Sequence, residues 1–220
     1  MSVRLEPFYL ANVLLFIGND DAIRAFPFIS RNCQVATLTL KTNPAKFSKS
    51  PREILRLFPN INTMVIDDLS CLDETDTLPD TVTSIVVDSF VDKPKDHPLR
   101  FADRVVSLTW RSSVRDSGPA DCSIFPRLER LFLLNRWRDI FLTKHKLKRL
   151  TVFCDRDWNP LNQFPPDCAE QITLVYTDRK AFLEAMARQH PPNVLVLSYE
   201  VFQGLAPDRL APCFPSRTPT

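Results

Sequence analysis

The chain has 220 residues, of which 44% are hydrophobic and 25% charged, a balance typical of folded domains and unlike that of disordered or membrane-embedded chains. Its 28 basic and 26 acidic residues leave a net charge of only +2, so charge singles out neither nucleic acid nor a membrane as a partner. No C-x-x-C pair or export signal is apparent, and we expect six reduced cysteines in a cytoplasmic or nuclear protein.

The first predicted elements are three short helices. Apolar residues at helical spacing mark the first of them: Leu10, Val13, Leu14 and Ile17. Pro7 suits the first position of that helix, and Gly18 ends the pattern. Asp20 or Asp21 is predicted to cap a second helix, and Pro27 either ends that helix or starts the next. The third is predicted over the apolar positions Ile29, Cys33 and Leu38.

This region resembles an F-box in its proline and its apolar positions. The matching run is Leu5, Glu6, Pro7, Leu10, Val13, Leu14, Ile17, Asp21, Ile23, Phe26 and Ile29. It departs from the F-box pattern where Glu6 separates leucine from proline, Ile23 replaces a leucine and Cys33 replaces a tryptophan. F-box modules dock onto the adaptor subunit of cullin-type ubiquitin ligases. The resemblance therefore implies an adaptor-binding surface made of Leu5, Pro7, Leu10, Val13, Leu14 and Ile17. The alternative interpretation is a plain helical cap on the repeats that follow.

Behind the helices, a six-residue pattern returns about every 22 residues: apolar, two variable, apolar, one variable, apolar. Its clear copies are Ile61/Met64/Ile66, Val82/Ile85/Val87, Val105/Leu108/Trp110, Leu128/Leu131/Leu133 and Leu147/Leu150/Val152. Two weaker copies are Ala169/Ile172/Leu174 and Pro192/Leu195/Leu197. Because side chains alternate along a strand, the last two apolar residues of each copy point to one side. Stacked copies predict a parallel sheet with a continuous core.

The pattern resembles the leucine-rich repeat L-x-x-L-x-L, without the Asn or Cys that this family places three residues further on. The predicted fold class is α/β, a short N-terminal helical module followed by a leucine-rich-repeat-like solenoid with a parallel sheet. The predicted boundaries are an F-box-like helical module at 1–45, an irregular leucine-rich-repeat domain at 46–209 and a flexible tail at 210–220. Many F-box modules carry such repeats as the part that reads the substrate.

Residues between the apolar positions should form the outward face of this sheet. On that face we predict a partner-binding surface made of Arg111, Arg130, Phe132, Leu134, Arg149 and Phe153, because exposed aromatic side chains beside arginine are enriched in binding hot spots. The alternative is that a neighbouring loop covers Phe132, Leu134 and Phe153. The basic run 144–149 could bind phosphate. It overlaps a repeat copy, however, and its charges are more typical of strand and loop surface.

Features of an enzyme are missing from the sequence. His97, His145 and His190 lie far apart, and no nucleophile, zinc or phosphate-loop motif occurs. We therefore expect no catalytic residues, metal or cofactor. The favoured function is a protein-protein interaction receptor, serving as a substrate-recognition subunit of a cullin-type ubiquitin ligase. It would bind a protein client on the repeat surface and the adaptor on the helices, with no nucleic acid or membrane partner. The alternatives are a free-standing scaffold without a ligase role and, third, an uncharacterised enzyme.

Overall fold

The chain is described here by a computed structural model. It describes residues 5–47, 49–67, 69, 78–88, 101–111, 120–134, 140–141, 145–154, 164–165, 167–176, 178, 182–183 and 194–197. The predicted tail at 210–220, His97, His190 and Lys144 lie outside these residues. None of the described helices is long and apolar enough to cross a membrane.

Four helices precede the first strand. They are α1 (Pro7–Leu15), α2 (Asp20–Ile29), α3 (Arg31–Thr39) and α4 (Pro51–Leu57). A proline opens both α1 and α4, where the missing N–H costs nothing. The sequence analysis predicted α1 to α3 but not α4, whose seven residues are too few to show a helical period.

The caps of α2 and α3 correct the sequence-based assignment. Asn19 caps α2, because its Oδ1 accepts a hydrogen bond from the Ala22 N–H at 3.0 Å, whereas Asp20 and Asp21 lie in the first turn. There the two carboxylates face the positive end of the helix dipole, which is a different favourable position. Pro27 lies inside α2 and does not end it. Ser30 caps α3, accepting from the Cys33 N–H at 3.1 Å.

The strands form one large parallel sheet and one small pair. They are β1 (Thr63–Ile66), β2 (Ser84–Val87), β3 (Ser107–Trp110), β4 (Ala120–Asp121), β5 (Arg130–Leu133), β6 (Ile140–Phe141), β7 (Leu147–Cys154), β8 (Ala169–Tyr176) and β9 (Val194–Leu197). Within the described part of the chain, the large sheet has seven strands in the order β1-β2-β3-β5-β7-β8-β9, and β4 pairs with β6. The predicted parallel sheet and α/β class are confirmed.

The repeated apolar positions lie side by side across the large sheet. The third apolar position forms one row: Ile66, Val87, Trp110, Leu133, Val152, Leu174 and Leu195. The last predicted copy is therefore wrong by two residues, because Leu195 takes the third apolar position and not the second. A shift of two residues keeps the same side chains inward, so alternation alone could not detect the error.

Backbone hydrogen bonds repeat along the sheet in the same way. Ahead of β1 and ahead of each of the first four contacts between strands, one carbonyl accepts from two successive N–H groups at 2.9–3.2 Å. These carbonyls belong to Lys41, Asn62, Thr83, Val106 and Glu129. Lys41 precedes β1, and Thr42 forms a parallel bridge to Thr63. The segment after α3 therefore continues the hydrogen-bonding pattern beyond the first strand.

Helices and sheet share one hydrophobic core. Leu14, Ile23 and Phe26 of the first two helices belong to the same buried cluster as the apolar rows of the sheet. Phe47 and Phe58 lie at the junction, with ring centroids 5.7 Å apart in an edge-to-face arrangement. Burial of this apolar surface is the main stabilising contribution to the fold, and it ties the helices to β1.

Polar contacts add a second link between α2 and the segment that leads into the sheet. Arg24 donates to Glu53 at 2.9 Å and lies over the Phe47 ring, 5.3 Å from its centroid. Lys49 pairs with Asp20. The hydrogen bond from Arg24 lowers the pKa of the Glu53 carboxyl below its usual value, since it favours the charged form.

The Arg24–Glu53 pair predicts a pH dependence of stability. A carboxyl whose pKa is lowered by folding stabilises the fold at neutral pH and stops doing so as the pH falls through its folded pKa. Glu53→Gln should therefore lower the thermal midpoint slightly at neutral pH, and the difference from wild type should vanish once the pH falls below the folded pKa of the Glu53 carboxyl. The effect should be small because both side chains are nearly half exposed, 48% and 44%.

The control for this pair is a double-mutant cycle. In an Arg24→Gln background, adding Glu53→Gln should leave the thermal midpoint unchanged at either pH. A Glu53→Gln effect that persists unchanged in acid would show that the carboxylate charge is not what stabilises this contact.

Candidate functional site

The N-terminal helices expose large apolar side chains, which we call the helical apolar surface. Its members are Leu5, Phe8, Tyr9, Val13, Phe16, Phe28, Ile29, Val35 and Leu38. The most exposed are Phe8, Phe16 and Phe28, at 72%, 86% and 87%. Scattered single apolar residues are ordinary on a protein surface, but a concentration of them on three short helices is typical of a contact site.

Helix α1 is responsible for half of this surface because it is apolar on nearly every side. One side packs into the core through Leu14, and Leu10 and Leu15 are half-buried against it. The opposite side carries Tyr9 and Val13 at a spacing of four residues, so both project from the same outward stripe. A helix without a polar face is normally buried, and the exposed stripe of α1 therefore indicates an uncovered contact.

The corner between α2 and α3 adds to the surface. Phe28 and Ile29 end α2 and are exposed. Asn32, in the first turn of α3, donates through Nδ2 to the Leu5 carbonyl at 3.0 Å. This bond holds the segment before α1 next to the corner between α2 and α3.

The structure divides the predicted adaptor-binding residues into exposed and buried groups. Leu5 and Val13 are half exposed and belong to the helical apolar surface. Pro7 is intermediate, and Leu10 and Ile17 are partly buried against the core. Leu14 is fully buried. Its side chain cannot touch a partner, so this residue is corrected to a core position.

Sequence analysis missed the most exposed members of this surface. It selected one face of α1 from apolar spacing, yet a helix that is apolar all round contains two such faces. The outward residues Leu5, Tyr9, Val13 and Phe16 are spaced as regularly as the inward ones. The signal that could have revealed them is the lack of charged residues between Pro7 and Leu15.

The outward face of the large sheet carries the second candidate, which we call the arginine-aromatic surface. It comprises Arg130, Phe132 and Leu134 from β5 and the residue after it, and Arg149 and Phe153 from β7. All five predicted positions lie on one face, because they alternate with the buried residues of their strands. Phe132 and Leu134 are half-buried, and Phe153 is 37% exposed.

The register brings the two arginines of this surface together. Arg130 of β5 is the direct neighbour of Arg149 of β7, and Arg149 is the neighbour of Gln171 on β8. Arg149 donates through Nε to Gln171 Oε1 at 3.1 Å. Among the described residues, neither arginine forms an ion pair with a carboxylate.

Arg111, the sixth predicted residue, is placed differently. It follows β3 and pairs with Asp88 after β2 at 3.4 Å. Asp67 follows β1 and is exposed. Along the carboxyl ends of the strands, the sheet therefore changes from acidic residues at β1 and β2 to apolar ones, Leu134 and Phe153, at β5 and β7.

The basic run 145–149 is largely engaged with its own fold. Lys148 pairs with Glu129 at 2.8 Å, and that hydrogen bond lowers the pKa of the Glu129 carboxyl. His145 Nε2 lies 2.7 Å from the Leu128 carbonyl oxygen. These contacts are typical of surface side chains on a strand and on the residues that lead into it.

Reactive side chains do not form a second site in the described part of the chain. No group of three or more His, Cys, Asp or Glu residues there could hold a metal ion. Cys33, Cys122 and Cys154 are buried. Partial burial raises the pKa of the Cys168 thiol, which disfavours the reactive thiolate.

Comparison of the chain with protein-family models, curated proteins and solved structures finds no match.

Proposed function

We propose that this protein is a receptor that binds a client on the outward face of a leucine-rich-repeat-like solenoid and attaches through its helices to a ubiquitin-ligase adaptor. The observation that carries the proposal is the helical apolar surface, where Phe8, Phe16 and Phe28 are almost fully exposed. Leaving such side chains in water forfeits about 1.5–3 kcal/mol each relative to burial. A partner that covers several of them gains that free energy on binding.

The regular strand stacking supports the solenoid part of this proposal. Successive strands are parallel, neighbour one another in chain order and place equivalent residues in register. At the start of each strand of the large sheet as far as β7, two successive N–H groups donate to one carbonyl at the equivalent position before it. A unit that can bury its apolar side only by stacking on a neighbour is the defining property of repeat folds.

The F-box-like residues support the adaptor part. In an F-box-like module the same short helices must both pack on the following domain and present an apolar side to the adaptor. Helix α1 meets both demands, with Leu14 in the core and Phe8 on the surface. Cys33, at the position of the F-box tryptophan, is buried in this chain. Any docking must therefore use other aromatic side chains, of which Phe28 lies five residues before it.

We place the protein in the cytoplasm or the nucleus, where it could meet the adaptor. Direct binding between purified proteins tests the adaptor proposal. The purified full chain should bind the purified adaptor subunit of a cullin-type ligase. Phe8→Ser combined with Phe16→Ser should weaken that binding by about tenfold or more, since exposed aromatics dominate such interfaces. Isothermal titration calorimetry measures the change. The unfolding midpoint should stay the same, because both side chains are largely in water already.

Phe153→Ser on the sheet serves as the matched control and should bind the adaptor like wild type. If the wild-type chain fails to bind where an established F-box protein binds, the ligase role is refuted. The helical apolar surface would then belong to a free-standing scaffold with another partner. Its departures from the F-box pattern at Glu6, Ile23 and Cys33 are the observation that favours this second function.

A further inference from the structure

We propose that the arginine-aromatic surface binds an acidic peptide segment of the client, with carboxylates on Arg130 and Arg149 and an apolar side chain beside Phe153. The inference rests on the proposed receptor function and gives the chemistry of its partner. It concerns the sheet face alone and is independent of the adaptor.

The first argument is the pairing of like charges. Arg130 and Arg149 are direct neighbours on adjacent strands, about 4.8 Å apart across the ladder. Like charges placed directly opposite each other destabilise a sheet. The rest of their row consists of uncharged Thr63, Ser84, Ser107 and Gln171. No side chain of this row neutralises the two arginines, and an external carboxylate would.

The second argument is the state of the guanidinium groups. The Nε of Arg149 is held by Gln171, which leaves its two Nη groups without a hydrogen bond to any described residue. Arg130 is exposed at the start of β5. An arginine fixed through Nε can still donate two parallel bonds to a carboxylate, and such forked pairs are stronger than single ones. The geometry therefore favours an anion that spans both strands.

Apolar neighbours point to a peptide as the source of the anion. On the outward face of β7, Thr151 is buried and lies between the exposed Arg149 and Phe153. Phe153 lies beside Leu134 at the carboxyl end of the strands and beside Val175 of β8. An extended segment with an acidic residue on the arginines and an apolar residue four positions further along would fit this spacing.

Charge on the remaining sheet argues against nucleic acid. Asp67 and Asp88 lie on the same edge, at β1 and β2, and would repel a phosphate backbone that followed the sheet. Arg111 is already paired with Asp88. Among the described residues of this sheet face, only Arg130 and Arg149 remain for an anion, whereas a nucleic acid would need a longer basic track. A short acidic segment needs no more than these two.

The experiment uses the full chain and a fluorescent random copolymer of glutamate and tyrosine as the probe. We expect binding that weakens with added salt. Arg130→Ser with Arg149→Ser should reduce the affinity by about tenfold or more. Phe153→Ser should reduce it less, and a pure glutamate polymer should bind the wild type more weakly than the copolymer. Fluorescence anisotropy measures each affinity, and the unfolding midpoint of each variant verifies its fold.

The control variant removes the same charge elsewhere. Arg31→Ser with Arg52→Ser lowers the net charge equally on exposed helical positions and should bind the copolymer like wild type. Equal losses in both double variants, or equal binding of a single-stranded oligonucleotide, would overturn the peptide assignment in favour of non-specific charge attraction. Absence of copolymer binding would overturn it as well. Both double variants should retain adaptor binding, so either result leaves the adaptor proposal to its own test.

Discussion

Replacing Leu131 by alanine should lower the free energy of unfolding by about 2–5 kcal/mol, the range for a buried leucine truncated to a methyl group. Leu131 is fully buried and lies in register between Leu108 of β3 and Leu150 of β7, which are also fully buried. Its removal leaves a cavity in the middle of a row that spans the sheet. Urea unfolding followed by circular dichroism measures the loss.

The neighbouring residue provides a control on the same strand. Phe132→Ala removes a larger side chain from the outward face and should cost about 1 kcal/mol or less, because this ring is only half-buried. Comparing two adjacent positions tests which way the strand faces, since a slip of one residue exchanges the two faces. A Phe132→Ala variant less stable than Leu131→Ala would contradict the assigned register of β5 and, with it, the outward placement of Arg130.

The repeated core was predictable because one physical rule sets it. Alternating side chains and a constant interval place Ile66, Val87 and Trp110 on neighbouring strands, as the sequence pattern predicted. The same rule failed at β9, where Leu195 is paired with Leu174, two residues away from the predicted register. Copies that share a face but differ by two residues satisfy alternation equally well, and only the hydrogen-bonded ladder distinguishes them.

The helical apolar surface could be predicted only in part. Spacing identified α1, but it could not determine which of two apolar sides meets the core, and Val13 proves to be exposed whereas Leu14 is buried. That choice depends on how α2 and α3 pack against α1, which is a tertiary property. The arginine-aromatic surface was easier to predict, because residues between buried positions of a strand must lie on the other face.

Polar contacts to the backbone were not predictable at all. Asn43 has the sequence context of a loop, between Thr42 and Pro44, yet it is only 1% exposed. The bridge between Thr42 and Thr63 places it opposite Met64, at a position where the following repeats carry an apolar side chain. No local rule predicts a polar residue there, because its partners lie on a strand about 20 residues further on.

Asn43→Ala should therefore be among the most destabilising substitutions in the chain, at about 2–4 kcal/mol. The Asn43 side chain takes the place of a strand at the edge of the sheet. Its Oδ1 accepts from the Val65 N–H at 2.8 Å, and its Nδ2 donates to the Val65 carbonyl at 2.8 Å and to the Phe47 carbonyl at 3.1 Å. Alanine leaves both buried Val65 groups unpaired, and each such group costs about 1–3 kcal/mol.

Two further variants separate this mechanism from a general sensitivity of the junction. Asn43→Asp keeps an acceptor for the Val65 N–H but cannot donate when ionised, and it would place a charge beside two carbonyl oxygens. It should be at least as destabilising as alanine at neutral pH. Asn60 also donates to a distant backbone carbonyl, that of Leu38 at 2.8 Å, but it is exposed. Asn60→Ala should cost about 0.5 kcal/mol, because water can replace that bond. Equal urea midpoints for Asn43→Ala and Asn60→Ala would mean that the buried Asn43 side chain does not stabilise β1 through its hydrogen bonds to Val65.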